Sequence, residues 1–525
     1  GLTMDATGAE NHTTILVIEP SPLEKDMLWI GTDDGNVQVT KNGGATWINV
    51  SKNIKDLPKG SWIAQIKASN KNKGEALLIA NDYRRFNYTP YAYRTKNYGK
   101  TWERIVDATD VKSYTLSIVE DLENPNLLFL GTDDGLYISL NAGQKWTKWT
   151  NGFPTVPVKD LVIHPREHDL IIGTFGRAAW VLDDIKPLRS MAKLNNNFST
   201  RLELFEPPVA YQAAFIQPTG SRFGADALYQ GENRRRGAPI TFYMNRPAKK
   251  KPVTKKKSRK KAKKDIKKKA EEKSKIKWDS IKLEIFDGTR LIRTLKQKAP
   301  KENGIHTMRW YLREKGVSRA SRRIRKSRRE PSGVGVKPGT YRLKMSFGNV
   351  ISEQNIKVAF DPRLNYSKAN LSTRYEMSKQ LEANMKTIAD VVKQLVESKN
   401  TANNFSKELT KADKKKYKTQ IKASKNISKK IEKLISGYLG TIDKRQGITR
   451  NPEVTVNQRL GVARRYLGAR FGKITKTETE LINNFRNALK EALTKSNDFF
   501  NSDWKEYKKE VEKIDISPFK EVKNF

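Results

Sequence analysis

From Thr13 to Val50, apolar and polar side chains alternate in four short runs, TTILVIEP, MLWIGTDDG, NVQVTKNGG and TWINV, separated by turn-forming residues. Alternation with a period of two predicts β-strands that bury one face. The pattern recurs as WIAQIKAS, ALLIANDY, YAYRTKNYG and TWERI, and again as YTLSIVED, LLFLGTDDG, LYISLNAG and KWTKWT. A fourth copy, VKDLVIHP, DLIIGTFG and AAWVLDD, stops after three strands. From Gly31 to Ala80, Gly131 and Gly173 the steps are 49, 51 and 42 residues. Four strands per unit at this period predict β-propeller blades. About four blades make a partial ring, so the expectation is that further blades come from a preceding part of the gene product or from a partner chain.

The punctuation inside each repeat is specific. TKNGGATW, TKNYGKTW and SLNAGQKW all read Ser/Thr-x-Asn-x-Gly-x-x-Trp. Their positions are Thr40, Asn42, Gly44 and Trp47; Thr95, Asn97, Gly99 and Trp102; and Ser139, Asn141, Gly143 and Trp146. Asn can bond the turn backbone, Gly can take positive φ, and Trp supplies a large ring for packing against a neighbouring sheet.

Beyond residue 187 the pattern loosens. Leu202 to Tyr211 reads as an exit strand; 238–244, 281–287, 291–295, 306–312, 339–347 and 351–360 then alternate like a small antiparallel β-sandwich. Residues 245–277 interrupt it with eighteen Lys/Arg against three Asp/Glu and no aromatic residue. A second basic stretch runs from Arg313 to Arg329.

Near residue 370 the apolar period changes to three and four. Met377, Leu381, Met385, Ile388, Val392 and Leu395 share one helical face. A second helix is expected over Asn404–Leu439, then a short one, then a last one opening at a Thr477–Glu480 capping box and continuing to Val511. Together they predict an antiparallel bundle. The chain thus reads as mainly β plus α: 1–187 propeller blades, 188–365 a sandwich with its Lys-rich insert, 366–525 a helical bundle.

Composition sharpens this picture only in places. The 525 residues contain no cysteine, which excludes disulfides and thiolate metal sites, and carry a net charge of +45. Such a charge favours anionic partners or solubility by repulsion. The segment with Lys249, Lys250, Lys251, Lys255, Lys256, Lys257, Arg259, Lys260 and Lys261 is the candidate for docking on an anionic envelope surface. Without interleaved aromatics it offers no stacking platform, so nucleic acid is the disfavoured alternative. No run is apolar enough to span a bilayer.

The boxes, the GTDDGNVQVTKNGGATW run, the LPKGSWIAQI segment and VPVKDLVIHPREHDLIIGTFGRAAWVLDDI resemble bacterial BNR/Asp-box propeller proteins. These are often labelled glycosyl hydrolases and are related to the Vps10 domain of sortilin. Asn at 42, 97 and 141 replaces the Asp that gives the box its name. PGTYRLKM and Phe360–Arg363 resemble the immunoglobulin-like module of the same family. The resemblance implies a secreted, periplasmic or cell-surface protein that binds protein or peptide ligands.

Catalytic chemistry is hard to place. A glycosidase needs paired carboxylates or a tyrosine nucleophile. Asp33, Asp34, Asp82, Asp133 and Asp134 fall at expected hairpin turns, leaving Asp183 and Asp184 as weak candidates. His164 and His168 flank a turn rather than sharing a helical face, so no metal or cofactor site is expected.

Overall fold

The computed structural model describes residues 13–194, 198, 200–213, 235–247, 277–324, 330–442 and 454–514. The first four-stranded antiparallel sheet is β1 (Ile15–Pro20), β2 (Leu28–Thr32), β3 (Val37–Thr40) and β4 (Ile48–Asn49). The second is β5 (Trp62–Ala68), β6 (Ala76–Asp82), β7 (Asn87–Thr95) and β8 (Glu103–Arg104). The third is β9 (Thr115–Glu120), β10 (Leu128–Thr132), β11 (Gly135–Ser139) and β12 (Thr147–Lys148). The fourth has three strands, β13 (Val158–Ile163), β14 (Leu170–Thr174) and β15 (Ala179–Leu182). Each is a meander in sequence order, so its first strand is an edge strand.

Consecutive sheets stack face to face, and their cores lie between sheets rather than within them. Trp29 and Val39 of the first sheet pack with Ile63, Ile66 and Tyr93 of the second. Leu77 and Ile79 meet Ile118 and Leu130, and Phe129 and Leu136 meet Leu161 and Ile172. The Gly of the Gly-Thr pair permits this closeness: a Cβ at Gly31 would stand 2.5 Å from the Ile63 side chain, and one at Gly131 would stand 2.5 Å from the Val158 carbonyl oxygen. In place of a fourth strand after β15, the chain turns into helix α1 (Lys186–Lys193). Arg189 of that helix holds Asp121 of the third sheet through two hydrogen bonds, Nε to Oδ2 at 2.7 Å and Nη2 to Oδ1 at 2.6 Å.

The expected exit strand is two short strands in different sheets. β16 (Leu202–Leu204) pairs with β18 (Ala238–Met244), whereas β17 (Ala210–Gln212) runs parallel to β25 (Val350–Phe360). The prolines at 207 and 208 lie between them, where a continuous ladder would lack donors. β16, β18 and β21 (Gly304–Trp310) form one sheet. β17, β25, β24 (Gly339–Phe347), β19 (Ser280–Asp287) and β20 (Arg290–Lys298) form the other, and both bury one shared core that includes Phe242, Ile285, Trp310 and Met345. A small hairpin, β22 (Arg313–Lys315) with β23 (Ser332–Gly335), projects toward the helices.

The first long helix, α2, runs from Lys368 to Asp413, about 69 Å at 1.5 Å per residue. It therefore absorbs the beginning of the expected second helix. Nothing between 396 and 404 is a Gly or Pro that would stop it, and Ala402 and Leu409 continue its buried face. α3 (Lys418–Leu439), α4 (Val456–Gly468), α5 (Lys476–Asn501) and α6 (Asp503–Glu512) follow. The capping box lies two positions before the expected one: Thr475 bonds the Glu478 N–H, and Glu478 returns the bond to the Thr475 N–H. The last helix also breaks once, at Ser502.

Part of the second basic stretch is internal. Arg322 donates to Glu432 at 3.1 Å and to the Gly440 carbonyl, which fixes this segment to α3. Glu314, although buried, accepts hydrogen bonds from Arg290, from Tyr375 and from Lys379. Burial pushes its carboxyl upward, but these donors outweigh it and hold the group below its usual range.

Candidate functional site

The three box turns are one geometry repeated. In the first, Thr40 Oγ1 accepts the Gly44 N–H at 3.0 Å and donates to Asn42 Oδ1 at 2.9 Å, while Asn42 Oδ1 accepts the Thr46 N–H at 2.9 Å. Thr95, Asn97, Gly99 and Thr101 repeat this, as do Ser139, Asn141, Gly143 and Lys145. Two of the three bonds in each turn end on the side-chain oxygen of residue 42, 97 or 141, which Asn supplies as well as Asp does. The Trp that follows reaches the preceding sheet. Trp102 meets Trp29 edge-to-face, and the Trp146 indole N–H donates to the Ile105 carbonyl at 2.8 Å. Among the described residues Trp47 has no preceding sheet, and it is 37% exposed.

These stacked sheets present two ends. At the end carrying the β2–β3 and β10–β11 turns, aromatic and arginine side chains from the second and third sheets gather. The Arg84 guanidinium lies 3.1 Å from the Trp62 ring centroid and 4.7 Å from that of Tyr83. Tyr83 stacks on Tyr114 at 4.6 Å, and Tyr88 leans on Tyr114 at 6.2 Å. The Tyr114 hydroxyl donates to Asp133 at 2.8 Å, and burial with that bond pushes its pKa up. Around this group Phe86 is 81% exposed and Tyr88 54%. Phe86 also holds a left-handed backbone, φ 61°, which is a costly place for an exposed aromatic. Trp, Tyr and Arg side chains of this kind carry most of the binding free energy in protein interfaces.

At the opposite end a cavity of about 280 Å³ is lined by residues from all four sheets, among them Glu19, Lys67, Glu120 and Leu161. Aligned on the box turns, Glu19 and Lys67 occupy one position near the end of the first strand and Glu120 the next, a signal the sequence held and the motif reading missed. Lys67 lies 3.9 Å from Glu19 and Lys71 3.7 Å from Glu120. Behind them Arg94, itself buried, bridges Glu75 at 3.1 Å and Glu120 at 2.9 Å. Burial raises the pKa of both Glu19 and Glu120 despite these cations.

The aspartates singled out from sequence behave as turn and cap groups. Asp33 accepts the Thr14 N–H, Asp34 accepts from Asn36, and Asp134 accepts from Thr132 and Lys148. Asp82 pairs with Arg85. Asp183 and Asp184 lie in the turn into α1, Asp184 at φ 53°, and neither lines the cavity. His164 Nδ1 accepts backbone N–H groups of its own turn. Among the described residues no cluster of three metal-ligating side chains occurs and no helix is long and apolar enough to cross a membrane. Lys249 to Lys261 lie outside the described residues.

Antiparallel meanders stacked face to face, with their first strands lining one cavity, give the amino-terminal part a β-propeller-like fold. No protein-family model and no curated protein sequence matches the chain. Among known structures, the chain is similar to the GH74 enzyme of Niastella koreensis, with 17% identity and a TM-score of 0.28 over 33% of this chain and 28% of that one. It is similar to YCF48 bound to D1 peptide, with 15% identity and a TM-score of 0.25 over 33% of this chain and 52% of that one. The GH74 xyloglucanase of Xanthomonas campestris gives 16% and 0.25 over 32% and 29%. The chain therefore spans from about a quarter to half of the length of these structures, a level of likeness that carries no inference about chemistry or partners.

Proposed function

We propose that the chain is a non-catalytic propeller scaffold of the bacterial cell envelope or surface, sortilin-like in use, that binds protein or peptide partners as part of a larger assembly. The observation that carries this reading is the surface cluster of half-buried Trp62, Tyr83 and Arg84 with exposed Tyr88 and Phe86, which combines hot-spot residue types with a left-handed backbone at Phe86. In this reading residues 188–365, as an immunoglobulin-like sandwich, and 366–525, as a bundle, are docking modules. The envelope location rests on the resemblance of the box repeats. Lys249–Lys261 would add attachment to an anionic surface. The test is affinity capture from the native source with wild type, Trp62→Ala and Tyr88→Ala proteins of equal melting temperature. A polypeptide retained by wild type and lost by both variants is expected; equal retention by all three overturns the reading.

A second reading, a glycoside hydrolase, has one observation in its favour. Glu19 and Glu120 line one cavity and burial raises both, the property a general acid requires. Hydrolysis of a glycan panel that disappears in Glu120→Gln would favour it over the scaffold.

A further inference from the structure

Lysines on the surface of the helical region are commonly neutralised from their own helix. Lys386, Lys393, Lys411 and Lys495 each pair with a carboxylate three or four residues away, Asp390, Glu397, Glu408 and Glu491 in turn. Such pairs support a helix and cancel charge locally. Residues 414–429, the turn after α2 and the first half of α3, depart from this: they carry seven lysines and no acidic residue. All seven are exposed, and no ion pair links any of them to a described residue. At about 100° per residue, Lys418, Lys422, Lys425 and Lys429 fall within an arc of about 60°, opposite the buried Ile427 and Ile431. The start of α3 is also unsupported. Its first turn holds no acid and no side chain caps it, whereas Ser367, Thr455 and Thr475 cap α2, α4 and α5, and Asp503 with Glu506 opens α6. Lys418 stands at the positive end of the helix dipole, where a carboxylate would stabilise. Mutual repulsion and the dipole both disfavour this arrangement in the isolated fold, so stability does not account for it.

We propose that the α2–α3 turn and the lysine stripe of α3 dock on the phosphate headgroups of an anionic lipid bilayer. A cluster of this size and uniform sign is what a negatively charged leaflet attracts. Three observations select that partner over other polyanions. First, the cations are all lysine, and no arginine occurs from 375 to 444. An ammonium is a point charge that meets a mobile headgroup phosphate in any orientation, whereas the arginine fork suits the fixed bidentate contacts of nucleic acids. Second, the one aromatic residue of 414–429 is Tyr417, half-buried with Lys416 5.2 Å from its ring centroid, so no base-stacking platform is presented. Third, no large apolar side chain between 367 and 441 is exposed, so the contact stays among headgroups, is held by charge and is released by salt. This folded attachment surface is separate from residues 249–261 and from Trp62, and stands whether or not either of those binds.

The test compares full-length proteins on phosphatidylcholine vesicles with and without phosphatidylglycerol. One variant carries Lys418→Gln, Lys422→Gln and Lys425→Gln. The control carries Lys386→Gln, Lys393→Gln and Lys495→Gln, which removes the same charge from paired positions and leaves residues 245–277 untouched in both. On phosphatidylglycerol vesicles at low salt the stripe variant is expected to bind at least about tenfold more weakly than wild type, and the control within about twofold of it. Lys418→Glu alone should give effects of opposite sign. An acid in the first turn of α3, four residues before Lys422, raises the melting temperature, while vesicle affinity falls. Equal losses in the two triple variants, or no loss in the stripe variant, would overturn the proposal. So would a duplex DNA or RNA probe that wild type binds more tightly than the vesicles and that the stripe variant no longer binds, which would assign the surface to nucleic acid instead.

Discussion

Trp29 and Trp102 meet edge-to-face across the seam between the first and second sheets, with ring centroids 6.0 Å apart. One ring comes from a strand interior and the other from a hairpin turn, so the contact ties the turn of one sheet to the core of the one before it. Trp102→Ala should destabilise the protein by about 3–5 kcal/mol, as expected for emptying a packed aromatic site. Trp47→Ala, at the equivalent but half-open position, should cost under about 1 kcal/mol in the isolated chain. Urea unfolding of both variants checks the contrast, and equal losses would contradict the seam assignment.

The box turns predict a tolerated exchange and a harmful one. Asn141→Asp keeps the oxygen that accepts the Lys145 N–H and the Ser139 hydroxyl, and should leave stability within about 0.5 kcal/mol. Asn141→Ala leaves both donors without that partner and should cost about 1–3 kcal/mol. Thermal melts of the two variants provide the comparison.

In the helical region Arg374 and Glu478 form a buried pair, with Nη1 to Oε1 at 2.9 Å. Arg374 also donates to the Leu467, Gly472 and Lys473 carbonyls, so it closes the end of α4 and the loop after it. Arg374→Met strands a buried carboxylate and should cost about 3–5 kcal/mol. Hydrogen exchange should show the loss first in α4 and α5.

Acid should act unequally on the two halves. The carboxyls of Glu314 and Glu478 are held below their usual range: burial opposes this, and the hydrogen bonds from arginine, together with Tyr375 and Lys379 or with Thr475, outweigh it. A depressed folded pKa contributes stability above the unfolded value, about 4.3, and that stability is lost as pH falls through the folded value. Glu19 and Glu120 are raised and have the opposite sign: their cost at neutral pH is relieved as pH falls. The contacts of β22 with α2 and of α2 with α5 should therefore loosen before the seam between the second and third sheets. Exchange rates of α2 and β9 amides measured from pH 6 to pH 3, roughly spanning these carboxylate pKa values, test this order. Earlier loss at β9 would contradict it.

Deleting residues 249–275 should weaken retention on acidic supports at low salt and leave the melting temperature unchanged. Screening should remove the difference near 1 M salt, where the Debye length falls to about 3 Å. Unchanged retention at low salt rejects the attachment role, and a steep salt slope on duplex DNA would favour nucleic acid instead.

Much of the architecture was written in local pattern. The alternation of TTILVIEP or LLFLGTDDG, the turn chemistry of Thr40-Lys41-Asn42-Gly43-Gly44, and the three-and-four spacing from Met377 to Leu395 depend on neighbours a few residues apart, where propensity and period act directly. Helix ends were less legible: α2 continues through Asn404 because its buried face continues, and a favoured cap at Thr475 competes with another possible one at Thr477. What only the tertiary structure decided is which distant residues share an environment. Glu19, Lys67 and Glu120 come to one cavity, and Trp62, Arg84 and Tyr114 to one surface, because consecutive sheets stack face to face. Burial, and with it the perturbed carboxyls and the half-open Trp47, is set by what the neighbouring sheet places there, a quantity that no single repeat encodes.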